Sequence, residues 1–312
     1  MKRIDDIDFL QFVGNQESQF IVPLSESQDA ILERFREGVS TFGDPLPWSK
    51  THNDVRLRPG EVSIWAGVNG HGKSILTSHV MANLMQLNGP VLMASLEMPI
   101  SASGHRMIRQ ISGLSNPTPD FIERVIEWTE DKLWVYDQLD TIESERILGM
   151  VIYAMTELKC RHIFVDSLMK CGVRTDDYDG QKNFIDKLCW AAKTHGGHIH
   201  LIHHMRKGDK EESIPDKFDV KGAGELVDMV DNLFIVHRNK AKEKEVEAGA
   251  HVEPFVPDQH LIVAKQRHGE WEGKINLWFH KDSQQYLSRS DGSAQWFDVK
   301  NIALQEARNY AT

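Results

Sequence analysis

The chain has 312 residues, 40% of them hydrophobic, and a formal net charge of −10. This is enough for one large α/β domain or two ordinary ones with a full apolar core. No stretch approaches the roughly 20 apolar residues that span a bilayer, and "MKRIDDIDFLQFVG" has acids where a signal peptide needs its apolar region, which argues against membrane and secreted classes. The three cysteines, Cys160, Cys171 and Cys189, have neither metal-ligand spacing nor an even count, so the expectation is a reducing cytoplasm. The net charge argues against nucleic-acid binding unless the cations gather on one face, because non-specific binding works by displacing counterions from phosphate.

In chain order, residues 1–54 form a region of mixed charge. "SESQDAILERFREG" reads as a helix with Ser25 or Ser27 near its N-cap, Ile31, Leu32 and Phe35 on one face, and Gly38 as its stop. Such a short amphipathic helix either covers its own domain or docks on a neighbouring subunit. "FGDPLPWSKTHNDVRLRPGE" reads as a proline-punctuated loop. From Val62 onward, short apolar runs alternate with helices: "VSIWA", "VLMAS", "LWVY", "IFVD", "HIHLIH" and "LFIVH". That pattern predicts an α/β fold, a mostly parallel sheet covered by helices on both faces. "LIVAKQ", "KINLWF" and "QQYLS", separated by short turns, predict antiparallel strands at the sheet edge. Asn239 to Gln259, "NKAKEKEVEAGAHVEPFVPDQ", reads as a solvated, mobile insertion. There is no internal repeat.

The most specific motif is "GVNGHGKS", Gly67 to Ser74, between an apolar strand and a run with helical periodicity. Glycines let backbone N–H groups turn inward, and a helix starting there adds its positive dipole end. The spacing Gly67, four residues, Gly72, Lys73, Ser74 fits a P-loop. Gly67, Asn69, Gly70 and Gly72 would form the phosphate cradle of ATP or another NTP, Lys73 would reach the β and γ phosphates, and the Ser74 hydroxyl would ligate Mg²⁺. "RHIFVDS" places Asp166 at the carboxyl end of a strand, where open α/β sheets bind ligands and where an acid can join the Mg²⁺ shell. Glu97 ends the strand "VLMASLEMP". It is either a water-orienting acid or an ordinary acid before a helix begun by Pro99.

A P-loop, then strand-"SLEMP", strand-"VDS", a strand ending in "HH", "DVKGAGEL" and "AKQR", in that order, resembles the helicase domain of the DnaB family. The form is that of bacteriophage primase-helicases and the mitochondrial helicase Twinkle. The resemblance covers about residues 55–290, leaving 291–312 as a tail. It implies a RecA-like P-loop ATPase domain, a homo-hexameric ring that hydrolyses NTP at subunit interfaces and moves on single-stranded DNA during replication. By position it makes Glu97 the general base for water and His204 the sensor of the γ-phosphate. Lys265 and Arg267 in "IVAKQRHGE" become the pair that reaches a neighbour's nucleotide, with Arg267 as arginine finger. Arg238 and Phe279 fall where the phage enzymes sandwich the base.

The same resemblance turns two mixed-charge loops into single-strand-binding loops. One carries Lys170 and Arg174; the other carries Arg206, Lys207, Lys210 and Lys221, followed by Gly222 and Gly224, which permit close backbone approach to phosphate. The acids interleaved with them leave solvated surface as the other reading. No zinc-binding or primase region precedes the helicase part, and the N-terminal residues do not resemble the usual DnaB N-terminal domain, so priming would come from a separate primase, beside a polymerase, or the chain is a fragment. A bacterial or phage-infected cytoplasm is the expected setting, ahead of the mitochondrial matrix. Two other classes share the P-loop: a RecA/RadA-like or phage recombinase ATPase without duplex unwinding, and a non-motor signalling or loader ATPase.

Overall fold

A computed structural model of the chain describes residues 23–37, 42–87, 89–173, 177–205, 214–220 and 223–299. The chain divides into two compact units, with the boundary after Phe42. In the first, a 3₁₀ turn at Leu24–Ser27 runs into helix α1, Gln28–Glu37, as the amphipathic pattern predicts. Gly38, its expected stop, lies outside the described residues.

The second unit opens with a small antiparallel ribbon, β1 (Asp44–Pro45) against β2 (Arg56–Leu57). The segment is loop-like, as its prolines suggest, yet Leu46, Trp48, Val55 and Leu57 are buried in a core cluster. Trp48 Nε1 fastens it by donating to Tyr286 O at 2.6 Å.

Among the described residues the main sheet has nine strands. Six run parallel: β3 (Val62–Gly67), β4 (Val91–Ser95), β5 (Leu133–Val135), β6 (His162–Asp166), β7 (His198–His204) and β8 (Asn232–Arg238). Three antiparallel strands extend the β8 edge: β9 (Gln259–Gln266), β10 (Gly273–His280) and β11 (Gln285–Leu287). The order is β11-β10-β9-β8-β3-β7-β6-β4-β5, so both the parallel body and the antiparallel edge agree with the sequence reading.

The two-residue period of a strand sorts the apolar side chains into two cores. From β3, Val62, Ile64 and Ala66 face one cluster, which holds α5 (Ser144–Thr156) and α6 (Tyr178–His195) against the sheet. Trp65 faces the other, shared with α2 (Lys73–Leu87), α3 (Ile100–Ser112) and α4 (Pro119–Trp128). Each fully buried Leu, Ile or Phe side chain contributes about 1.5–3 kcal/mol. Trp65, with no exposed surface and its ring 4.4 Å from that of Phe234, is the substitution expected to cost most, about 3–5 kcal/mol for Trp65→Ala.

Beside Trp65 lies a directional chain of polar groups inside the sheet. Trp65 Nε1 donates to His200 Nδ1 at 3.1 Å, His200 Nε2 meets His162 Nδ1 at 3.1 Å, and His162 Nε2 meets Asp44 Oδ2 at 2.9 Å. An indole N–H can only donate. Each imidazole in the chain is therefore neutral, with its proton on Nε2, and the chain ends on the carboxylate of β1.

The segment after β8 corrects the sequence reading. The stretch is solvated as expected, with no buried residue in Lys240–Glu247, but those residues form a helix, α8, whose Asn239 cap accepts from Lys242 N at 3.1 Å. Its alternating lysines and glutamates make ion pairs at helical spacing and with the strand ends, Lys240 to Glu243 at 2.8 Å and Lys242 to Asp258 at 2.7 Å. A charge-rich stretch with no apolar face looks disordered when those partners are not known.

Candidate active site

Parallel strands aim their carboxyl ends the same way. The four adjacent strands β3, β7, β6 and β4 thereby gather Gly67, His204, Asp166 and Glu97 at one edge of the sheet. Gly67 lies opposite His204, and Ser95, two residues before Glu97, lies opposite Asp166. Glu97, Asp166 and His204 share a cleft of about 900 Å³ whose walls also include Asn69, Gly70, Gly72, Lys73 and Ser74. Gly67 is not among the residues that line it.

The loop between β3 and α2 needs its glycines. A Cβ on Gly67 would lie 2.6 Å from Val236 O; Gly72 has φ +83° and its Cβ would lie 2.6 Å from Tyr286 Oη. A Cβ on Gly70 would meet nothing within 4 Å, so that part of the loop faces open space. The buried Lys73 bends back over the loop and donates to Gly67 O at 2.9 Å and Val68 O at 3.2 Å. A ring of backbone, an ammonium at its centre and the start of α2 behind it fit a polyphosphate.

The buried end of the cleft holds hard oxygen donors. Ser74 Oγ donates to Asp166 Oδ2 at 2.6 Å. Burial pushes the Asp166 carboxyl above its ordinary range, opposed by the Ser74 hydrogen bond. A buried carboxylate whose charge is costly to keep, paired to a hydroxyl beside a phosphate cradle, suits Mg²⁺. Glu97 accepts from Ser167 Oγ and lies 3.4 Å from His204 Nε2. The His204 hydrogen bond pulls the Glu97 carboxyl down to about 2 against the opposing effect of burial, with Ser167 assisting.

Arg238 and Phe279 also line the cleft. Arg238 pairs with Glu243, and the Phe279 ring lies 5.2 Å from that of Tyr286. Lys170 ends the 3₁₀ turn Leu168–Lys170 that follows Asp166, and its charge also lowers the Glu97 carboxyl. Gly224 lies in α7, Ala223–Met229. Arg174, Arg206, Lys207, Lys210, Lys221 and Gly222 lie outside the described residues.

Lys265 and Arg267 are not brought into this cleft. β9 runs antiparallel, so Gln266 pairs with Asn232 at the amino end of β8 and Gln259 with Arg238 at its carboxyl end. Lys265 Nζ donates to Val227 O at 2.8 Å and Asp228 O at 2.9 Å; Arg267 reaches Asp231 Oδ1 at 3.2 Å. The length of β8, at ~3.3 Å per residue, sets these cations roughly 20 Å from the cleft of their own chain.

Sequence reasoning missed Arg106, Tyr286 and the α8 residues Lys242 and Glu243, all of which line the cleft. Arg106, on α3, loses water on burial, which lowers its pKa, while the nearby Asp166 charge opposes that. An arginine on an amphipathic helix reads as a solvated charge, so no sequence signal marked it. Tyr286 read as edge strand, and its hydroxyl meets the P-loop only because β11 lies over α2.

Among the described residues no helix is long and apolar enough to cross a membrane. The chain is 25% identical over 215 residues to the DNA helicase/primase of Enterobacteria phage T3, covering 60% of this chain and 37% of that protein. It is 20% identical over 218 residues to the Twinkle homolog protein, chloroplastic/mitochondrial, of Arabidopsis thaliana, covering 64% of this chain and 31% of the relative. The chain thus spans about a third of the length of these relatives. Among solved structures, one of an ATPase domain superposes with a TM-score of 0.72 at 16% identity, covering 86% of this chain and 99% of that one. A DnaB-like replicative helicase, solved in a study of its interactions with primase, gives 0.67 at 16% identity, over 86% of this chain and 67% of that one. The fold is therefore that of the RecA-like ATPase domains of DnaB-type helicases. With residues 45–210, more than half of the chain, matching the family model, the protein belongs to the AAA domain family.

Proposed function

We propose that the chain is an ATP-dependent DNA helicase of the replicative type, a homo-hexameric ring that hydrolyses ATP or another NTP between subunits and moves on single-stranded DNA. One observation carries this reading. The P-loop, Asp166, Glu97 and His204 converge on one cleft, while Arg267 sits at the other end of the sheet beside Asp231, out of reach of the cleft of its own chain. A closed ring would bring it to a neighbouring subunit's cleft, adding a cation in trans to the Lys73 and Arg106 that the cleft already holds.

In this reading the backbone of Gly67–Ser74 and the Lys73 ammonium bind the β and γ phosphates, Lys73 exchanging its loop carbonyls for phosphate oxygens. Ser74 and Asp166 would hold Mg²⁺, which neutralises charge on the phosphates when bound. Glu97, charged throughout the physiological range, accepts a hydrogen bond from the attacking water and orients it, and His204 contacts the γ-phosphate. Arg238 and Phe279 stack on the base. Lys170 and Gly224, with Arg174, Arg206, Lys207, Lys210, Lys221 and Gly222, face single-stranded DNA in the ring's pore. Residues up to Phe42, a shorter stretch than the expected 1–54, form a linker or subunit-docking region ahead of the ATPase unit that begins at Gly43, and the setting is a bacterial or phage-infected cytoplasm.

The test is strand separation on a forked duplex with ATP and Mg²⁺. Unwinding that stops in Lys73→Ala supports the proposal. DNA-stimulated hydrolysis without strand separation points to a recombinase-type ATPase, and hydrolysis indifferent to DNA points to a non-motor ATPase.

A further inference from the structure

Arg238 and Phe279 come from β8 and β10, strands that β9 keeps apart in the sheet. Sheet pairing carries both strands, and α8 reaches the surroundings of both residues through two consecutive side chains. Glu243 holds the Arg238 guanidinium with one carboxylate oxygen and Lys240 Nζ, at 2.8 Å, with the other. Lys242 Nζ donates to Asp258 Oδ1 and Val256 O, each at 2.7 Å. The second oxygen of Asp258 accepts from the backbone N–H of Phe279 at 2.8 Å. Asn239 ties the helix start to the segment that returns to β9: its Nδ2 donates to Pro257 O at 2.9 Å and its backbone N–H to Asp258 O at 2.9 Å.

We propose that α8 is the positioning element of a nucleobase clamp, with Glu243 setting the plane of Arg238 and Lys242, through Asp258, setting the strand that carries Phe279. The proposal rests on the nucleotide reading of the cleft. The Arg238 side chain is 47% exposed; without Glu243 it would sample solvent rotamers, and binding would have to order it. Ordering one long side chain costs about 0.5–1.5 kcal/mol, or about two- to tenfold in affinity. The clamp acts on the base alone, so this loss falls on a nucleotide and not on a bare polyphosphate.

The experiment measures binding of ATP and of inorganic tripolyphosphate to the full chain, wild type and variants, and ATP turnover with single-stranded DNA. Glu243→Ala is expected to weaken ATP binding and raise KM about two- to tenfold, leaving kcat unchanged and tripolyphosphate affinity unchanged or tighter. Glu243→Gln, which keeps an acceptor oxygen for the guanidinium, should recover most of the loss. Lys242→Ala should also weaken ATP more than tripolyphosphate, on top of a loss common to both ligands because its ammonium lines the same cleft. Adding Glu243→Ala to Arg238→Ala should cost nothing further, because Glu243 acts through Arg238. Removing a carboxylate beside a polyanion would by charge alone tighten both ligands, so a loss confined to ATP is not a charge effect. Undiminished ATP affinity, equal loss of tripolyphosphate, or additive losses in the double variant would each overturn the clamp. If tripolyphosphate did not compete with ATP on the wild type, the nucleotide reading would fall first and the clamp with it.

Discussion

Ser74 Oγ and Asp166 Oδ2 meet at 2.6 Å although 92 residues separate them in the chain. The contact joins the first turn of α2 to the end of β6, bringing the two oxygen donors expected to share Mg²⁺ together beside the phosphate cradle.

The catalytic roles separate by substitution. Lys73→Ala removes the ammonium at the centre of the cradle and should abolish nucleotide binding. Glu97→Gln keeps the shape of the site and should bind nucleotide at nearly wild-type affinity while turnover falls about 10²- to 10⁴-fold. Nucleotide affinity and steady-state hydrolysis on both variants check this. Substantial turnover by Glu97→Gln would remove that residue from the water-orienting role.

Gly72→Ala should lose nucleotide affinity for two reasons that can be pulled apart. Its φ of +83° costs a β-carbon about 1–3 kcal/mol, and the new methyl would sit 2.6 Å from Tyr286 Oη. Tyr286→Phe on that background clears the hydroxyl but not the strain, so affinity should return only in part. Full recovery would mean that the backbone conformation is not required, and no recovery would mean that Tyr286 does not limit the loop.

Shared active sites make a sharper prediction. An Arg267→Ala subunit retains its own cradle, and a Lys73→Ala subunit retains a cation to lend. Each variant alone should be nearly inactive, whereas rings assembled from both should regain part of the ATP turnover at interfaces that pair the intact halves. Demonstrated mixed assembly without rescue would count against a cation supplied in trans.

For DNA, replacing Lys207, Lys210 and Lys221 together should weaken single-strand binding without regard to sequence. The logarithmic salt slope should become shallower by about 2, since each lost phosphate contact removes about 0.7 on single strands. Titrations across a salt series read this directly. An unchanged slope would identify these loops as solvated surface.

The buried imidazoles predict an acid-sensitive fold. Burial pulls His198 from its ordinary 6.5 down to about 3, and moves His200 and His162 in the same direction. Below pH 6.5 the unfolded chain takes up protons that the folded chain refuses. The stabilisation is therefore complete above pH 6.5 and declines as pH falls toward 3, with a slope of about 1.4 kcal/mol per pH unit for each such histidine. Denaturant unfolding from pH 8 to pH 5 should show the decline, and His198→Asn should reduce the slope by up to one proton. A flat profile would contradict neutral imidazoles in the Trp65 chain.

Wherever its signals are local, the sequence by itself determined the site. A P-loop is contiguous, so glycine spacing, lysine and serine announce the phosphate cradle without knowledge of the rest of the fold. Apolar runs that end in Asp166 or His204, or just before Glu97, announce acids and a histidine near carboxyl ends of strands, because strand length is written in consecutive residues. Only the tertiary structure decided how these ends were grouped: strand order placed β3, β7, β6 and β4 side by side, a matter of long-range packing that no local pattern encodes. It also decided what α8 is. "KAKEKEVE" has no apolar face to betray a helix, and its ordering comes from Arg238 and Asp258, which precede and follow it in sequence and meet it only once β8 and β9 have paired. The placement of Lys265 and Arg267 has the same origin. Antiparallel pairing turns β9 back along β8 and carries both cations to the far end of the sheet from the P-loop of their own chain.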